Sequence, residues 1–155
     1  MMEACPGCSI RLPALDGPTD PYGGASPSCW AMFCEVLARD YGGYGYLEAH
    51  QLVVDAYMAQ HPAFSTAAGR RSVAVPLVGL LCALELGLSG QEVSRTIGRV
   101  FPEKQDVEAF EPVPWLGEIT VASVHAARDL EEHTARAKVW AGAVAGVVAA
   151  PRVRP

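Results

Sequence analysis

The sequence predicts an all-α fold, a helical bundle of about five to six helices with an irregular N-terminal arm held by a metal knuckle. Three observations point there. Apolar residues recur at helical spacing, as in Trp30, Phe33, Val36 and Leu37 and again in Ala49, Leu52, Val53, Ala56 and Tyr57. No run of alternating β-branched residues is long enough to build a sheet. Residues 1–25 are broken by Pro6, Pro13, Pro18, Pro21, Gly7, Gly17, Gly23 and Gly24, and they contain Cys5-Pro6-Gly7-Cys8.

Each element has a local reason. The arm reads as neither helix nor strand, and ordering it by hydrophobic contact alone is costly, which calls for a clip such as a metal ion. Ser26-Pro27 starts the first helix, with Ser26 as N-cap and Pro27 at the first position, where its missing N–H costs nothing. That helix runs to about Asp40. A glycine-rich turn, Tyr41-Gly42-Gly43-Tyr44-Gly45, reverses the chain into a second helix over 46–60, ended by His61-Pro62. The two form an αα-hairpin. A third helix fits 71–86, starting at Ser72 or bent near Pro76, with Gly87 closing it. Ser89-x-x-Glu92 is a capping box for a short fourth helix to about Val100. Residues 101–117 read as a surface loop with Phe110, Trp115 and Leu116 folded back, and Thr120 caps a last helical region over 121–150, broken near Arg128-Asp129.

Composition narrows the function. A chain of 155 residues with half of them hydrophobic suits one domain over 1–155, divided into the arm (1–25) and a helical core (26–150). With a net charge of -5, and with Arg70-Arg71 and Arg95/Arg99 as isolated basic pairs, a nucleic-acid backbone has little to bind. The apolar runs over 73–88 and 139–150 do not suit a membrane. The first holds Pro76 and Glu85, and the second falls short of the roughly 20 residues a spanning helix needs. Gly142 and Gly146 have the small-xxx-small spacing that lets another helix approach. Cys5, Pro6, Gly7 and Cys8 stand where an export signal would have its apolar stretch, so a cytoplasmic location is expected. Five cysteines without an export signal make a closed disulfide framework a poor explanation.

Metal ligation accounts for them better. Zinc takes four ligands in a tetrahedron, and a Cys-x-x-Cys knuckle supplies two because its turn puts both sulfurs on one side. A redox motif would need a strand before it and a helix after it, whereas Ser9-Ile10-Arg11-Leu12-Pro13 follows. Cys29 falls in the first turn after the Ser26 cap, where free backbone N–H groups favour a thiolate. The plainer reading of Cys29 is a small buried residue beside Trp30. For the fourth ligand the candidates are His50, His61, His125 and His133. His50 and His61 share a face but lie about 16 Å apart along the axis, and an antiparallel hairpin brings Cys29 nearer Tyr57 and His61. His61 is therefore the preferred ligand, with His50 or His133 as alternatives. Cys34 and Cys82 read as surface or core cysteines. Without a metal role, His50 reads as a partly buried residue at the edge of an apolar face, and His125 and His133 as members of a solvated one.

No catalytic motif is present. Gly42-Gly43-Tyr44-Gly45 has no preceding strand and no following Lys-Ser/Thr, Gly87-Leu88-Ser89-Gly90-Gln91 lacks the second glycine of a nucleophile elbow, and Asp55, Glu85 and Glu48 have no paired acid. Taken together, Cys5-Pro-Gly-Cys8, Asp16-Gly-Pro-Thr19, Gly24-Ala-Ser-Pro-x-Cys-Trp30, His50-Gln-Leu-Val-Val-Asp-Ala-Tyr57, Gln60-His-Pro62 and Arg71-Ser-Val-Ala-Val75 resemble a bacterial family defined only as a domain of unknown function. Glu132-His133 and Trp140 extend the resemblance toward the C-terminus. It implies a shared fold and no particular activity. Members of that family often carry histidine where this chain has Asp20 and Pro76. A second metal or catalytic site built on those histidines would be degraded here, which points away from an enzyme.

The expectation is thus a small helical zinc-binding protein in which Cys5, Cys8, Cys29 and His61 pin the arm to the first hairpin. Its role would be binding or regulation, through a protein partner or self-association. The competing expectation is a metal-dependent enzyme of helical-bundle type with an open site near His50, Tyr57 and His133. A third is an apolar interaction module without metal.

Overall fold

The computed structural model describes residues 1–20, 23–62, 67–100 and 118–148. The arm departs from the irregular reading. Met2–Ala4 (β1) and Arg11–Pro13 (β2) pair antiparallel, with Met2 opposite Pro13, Glu3 opposite Leu12 and Ala4 opposite Arg11. Three-residue strands are too short to show an alternating pattern; what makes them pair is the turn between them. Cys5 N–H donates to Ile10 O at 2.8 Å and Ser9 N–H to Cys5 O at 2.9 Å, while Ser9 takes the left-handed conformation at φ 65°.

Helix α1 spans Pro27–Gly42, and the Ser26 hydroxyl accepts from Cys29 N–H as foreseen. Its buried face is Cys29, Phe33, Val36 and Asp40. Gly45, at φ 84°, leads into a 3₁₀ turn over Tyr46–Ala49, and α2 follows at His50–Gln60. Helix α3 covers Ala67–Glu85 with Pro76 inside it, so it begins earlier than expected. Gly87 at φ 65° ends it, with Leu88 N–H donating to Cys82 O. The capping box opens α4, Gly90–Val100: Ser89 N–H donates to Glu92 Oε2 at 2.7 Å and Glu92 N–H to Ser89 Oγ at 3.3 Å. The last helical region is broken where expected, into α5 (Val121–His125) and α6 (Leu130–Val148), and Asp129 Oδ1 accepts from Glu132 N–H at the start of α6. The loop expected over 101–117, with Phe110, Trp115 and Leu116, lies outside the described residues.

Helix α2 is the centre of the bundle, packed on α3 and α6. Fully buried Phe33, Val53, Tyr57, Leu80 and Trp140 form the middle of the core. Trp140 Nε1–H donates to Gln60 Oε1 at 3.2 Å, and Gln60 Nε2–H donates to Ile119 O at 2.9 Å, so one buried amide joins α2, α6 and the entry to α5. Gly79 on α3 faces Asp55 so closely that a side chain there would collide with the carboxylate. By contrast, a Cβ at Gly142 or Gly146 would meet nothing within 4 Å among the described residues, so the small-xxx-small pair is not packed on a neighbouring helix there. Among the described residues no helix is long and apolar enough to cross a membrane.

Two outcomes follow from this packing. Gln60→Leu leaves Trp140 Nε1 and Ile119 O without partners and should cost about 2–4 kcal/mol in urea unfolding. Burial raises the Asp55 carboxyl to about 7, against a weaker downward pull from a Gln51 hydrogen bond. The unfolded chain then loses this proton near pH 4 while the folded chain keeps it. Stability should therefore fall as pH rises from about 4 through 7, by up to about 4 kcal/mol. Asp55→Asn should flatten that slope and stabilise the fold on its alkaline side, read as unfolding midpoint against pH.

Candidate metal centre

The Cys-Pro-Gly-Cys turn carries Cys5 and Cys8 at the tip of the β1–β2 ribbon, α1 brings Cys29 in its first turn, and His61 stands at the end of α2. All four are buried, at 2%, 1%, 0% and 0% exposure, and their ligand atoms lie within 4.8 Å of one another. No other set of three or more metal-ligating side chains gathers in this way among the described residues. Cys8 Sγ is 3.8 Å from Cys29 Sγ, and Cys29 Sγ is 3.3 Å from His61 Nε2. A tetrahedron with Zn–S bonds of about 2.3 Å has edges of about 3.8 Å. A disulfide needs about 2.05 Å, and all five cysteines are free thiols.

Each donor is held by its surroundings. His61 Nδ1 lies 2.7 Å from Tyr57 O. A carbonyl only accepts, so Nδ1 carries the proton and Nε2 turns its lone pair on the sulfurs, the tautomer a metal requires. The Tyr57 ring stacks between Phe33 and His61, with centroids 3.8 and 3.9 Å away. Burial first, then the neighbouring Cys29, hold the Tyr57 phenol far above its ordinary pKa, so it remains a donor to Cys29 Sγ at 3.5 Å. Ser26 N–H points at Cys5 Sγ at 3.4 Å. Gly7 has no room for a side chain, because a Cβ there would sit 2.6 Å from His61 Cδ2 and 2.9 Å from His61 Cα. Behind His61, Gly24 N–H donates to His61 O at 2.9 Å, and Gly23 pairs with Pro62 in a β-bridge.

The electrostatics ask for a cation. Hydrogen bonds from Cys29 and then Cys8 pull the Cys5 thiol strongly down, Cys29 and then Cys5 push the Cys8 thiol strongly up, and Cys5 pushes Cys29 to about 12 against a downward pull from Cys8. Three sulfurs this close can share one negative charge by themselves. They can all be thiolates only with a positive ion among them.

The residues of the competing enzyme reading separate. Tyr57 belongs to the sulfur cluster, two helical turns or about 10 Å from His50. His50 and His133 do converge, on a residue the sequence reading passed over: Asp40, 1% exposed, lies 3.2 Å from His50 Nδ1 through Oδ2 and 2.7 Å from His133 Nε2 through Oδ1. The available signal was periodicity, since Asp40 continues the buried Cys29-Phe33-Val36 face by one turn. His125 pairs with Glu35 at 2.6 Å on the surface, and Glu132 with Arg128. Cys34 is exposed and Cys82 is buried in α3.

No curated protein and no solved structure matches the chain at a significant level. A family model does, over residues 3–148, and so takes in the ribbon, the hairpin, all four gathered donors and the Asp40 cluster. The chain belongs to this family of unknown function, DUF5946.

Proposed function

We propose that the protein binds one structural zinc ion through Cys5, Cys8, Cys29 and His61, and that it acts as a zinc-pinned helical binding or regulatory protein. The observation carrying this is the closed donor set: three sulfurs and one nitrogen, with a sulfur–sulfur edge of 3.8 Å and a sulfur–nitrogen edge of 3.3 Å, sealed from solvent. A catalytic zinc keeps a position for water, whereas a structural one is surrounded by four protein ligands. Thiolate-rich donors favour zinc over hard cations such as magnesium or calcium. Because the arm has little else to hold it, the ion's binding energy becomes folding energy. The face left for a partner would be on the helices, with another protein or a second copy as its occupant.

Elemental analysis of untagged, purified protein should find one zinc per chain; a metal-free protein with a cooperative melt would overturn the reading. Cys5→Ser should lose the zinc and lower the melting temperature by about 10–20 °C, the equivalent of roughly 5 kcal/mol in a chain of this size. Exposed Cys34 supplies the control, since Cys34→Ser should keep both the metal and the melting temperature.

A further inference from the structure

A second, metal-independent chemistry lies at the opposite end of the α1–α2 hairpin. Arg39 Nη1 approaches His133 Nδ1 at 3.5 Å and donates to Val124 O, and Nη2 donates to His125 O, each at 3.0 Å. A guanidinium only donates, so His133 Nδ1 is the accepting nitrogen and its proton sits on Nε2, 2.7 Å from Asp40 Oδ1. That contact is an electrostatic one, off the line of a hydrogen bond. The other carboxylate oxygen, Oδ2, faces His50 Nδ1 at 3.2 Å. A carboxylate accepts, so His50 Nδ1 carries the proton and Nε2 keeps its lone pair. Onto that lone pair the Tyr41 hydroxyl donates at 3.0 Å.

The direction at His50 is fixed by the Asp40 carboxylate, which only accepts, and Tyr41, able to donate or accept, donates to the nitrogen left without a proton; the result is a histidine base oriented by a buried carboxylate. Tyr41, its cap, is 70% exposed, tilts its ring on that of His50, and makes no other side-chain hydrogen bond among the described residues, so it can swing aside. His50 also lines a cleft of about 1000 Å³ bordered by α2, α4 and α6. Arg95 and Lys138 stand in the cleft wall and form no ion pair among the described residues, while Glu48 is its one carboxylate. Glu92, which caps α4, lies outside the lining and interacts with Arg95 electrostatically. With two cations against one carboxylate, the lining itself carries a positive balance, which suits an anion.

We propose that His50 is a general base for a small anionic ligand bearing a hydroxyl, held in this cleft by Arg95 and Lys138, with Asp40 as positioning residue and Tyr41 as displaceable cap. In the step, the ligand's O–H bond breaks, an Nε2–H bond forms, and the electron pair stays on the ligand oxygen. The resulting imidazolium faces the Asp40 carboxylate.

The test uses the full, metal-loaded chain. Long-range ¹H–¹⁵N spectra should show His50 as the Nδ1–H tautomer, and Asp40→Asn should return it toward the Nε2–H form that free imidazole prefers. Carbethoxylation by diethyl pyrocarbonate, followed at each histidine by peptide mass spectrometry, reads access to Nε2. Tyr41→Phe should speed reaction at His50 by about fivefold, the worth of one hydrogen bond, with His125 unchanged as internal reference. Inorganic phosphate should slow reaction at His50, and Arg95→Ala/Lys138→Ala should abolish that protection. Tyr41 is exposed, so its variant carries the test even where Asp40→Asn fails to fold. An Nε2–H tautomer in the wild-type protein, or a His50 rate that neither Tyr41→Phe nor phosphate changes, would overturn the proposal.

Discussion

Three sulfurs and an imidazole nitrogen occupy a volume closed to water, and the architecture around them is arranged to bring two distant segments there. Ordering one residue's backbone costs roughly 1–2 kcal/mol, so a ribbon and linker ahead of α1 need substantial compensation. What they offer apart from the cysteines is small: partly buried Ile10 and Leu12, a Ser28 hydroxyl donating to Pro13 O, and the Gly23 and Gly24 contacts to His61 and Pro62. The Gly23 and Gly24 contacts are also local to the donors, since His61 and Pro62 are where α2 ends. The ribbon is therefore held at its tip by the donors and on β2 by Leu12 and the Ser28–Pro13 bond to the start of α1.

The helices were legible because their signals are local. Ser26-Pro27, Ser89-x-x-Glu92 and Thr120 each name the first residue of a helix through a hydrogen bond made within three positions, and all three bonds are present. The thiol and imidazole donors were also within reach. Knuckle spacing pairs Cys5 with Cys8, and an antiparallel hairpin necessarily sets the start of α1 beside the end of α2. The paired strands were not legible, because three residues hold no period and the bond from Cys5 N–H to Ile10 O depends on the turn conformation. Asp40 was missed for a different reason. A carboxylate on a buried helix face is read as an exposed end until its partners, His50 ten residues on and His133 on another helix, are in place.

Asp40 also shows how a buried charge is tolerated. One imidazole N–H, that of His50, donates to Oδ2, and His133 lies against Oδ1 at 2.7 Å off the line of a hydrogen bond, with burial holding His133 below its ordinary pKa. Arg39 is a step further out, against His133 and the carbonyls of Val124 and His125. The charge is thus compensated in layers, and removing the Arg39 guanidinium would release both the His133 tautomer and the end of α5.

The spacing of the two clusters ties them to one another. Cys29 and Asp40 are separated along α1 by the same eleven residues that separate His50 and His61 along α2, about 16 Å in each helix. Since the helices run antiparallel, Cys29 meets His61 at one end while Asp40 meets His50 at the other, at 3.3 and 3.2 Å. A slip of one residue in either helix moves its side chains by about 1.5 Å along the axis and 100° around it, which breaks both contacts together. The register of the hairpin is therefore specified twice, by unlike chemistries, one dry and sulfur-rich and the other bordering a cleft. Whatever tightens the sulfur end also restricts how far His50 can move from Asp40, and for that reason the geometry of the histidine at the cleft is set in part by donors about three helical turns away.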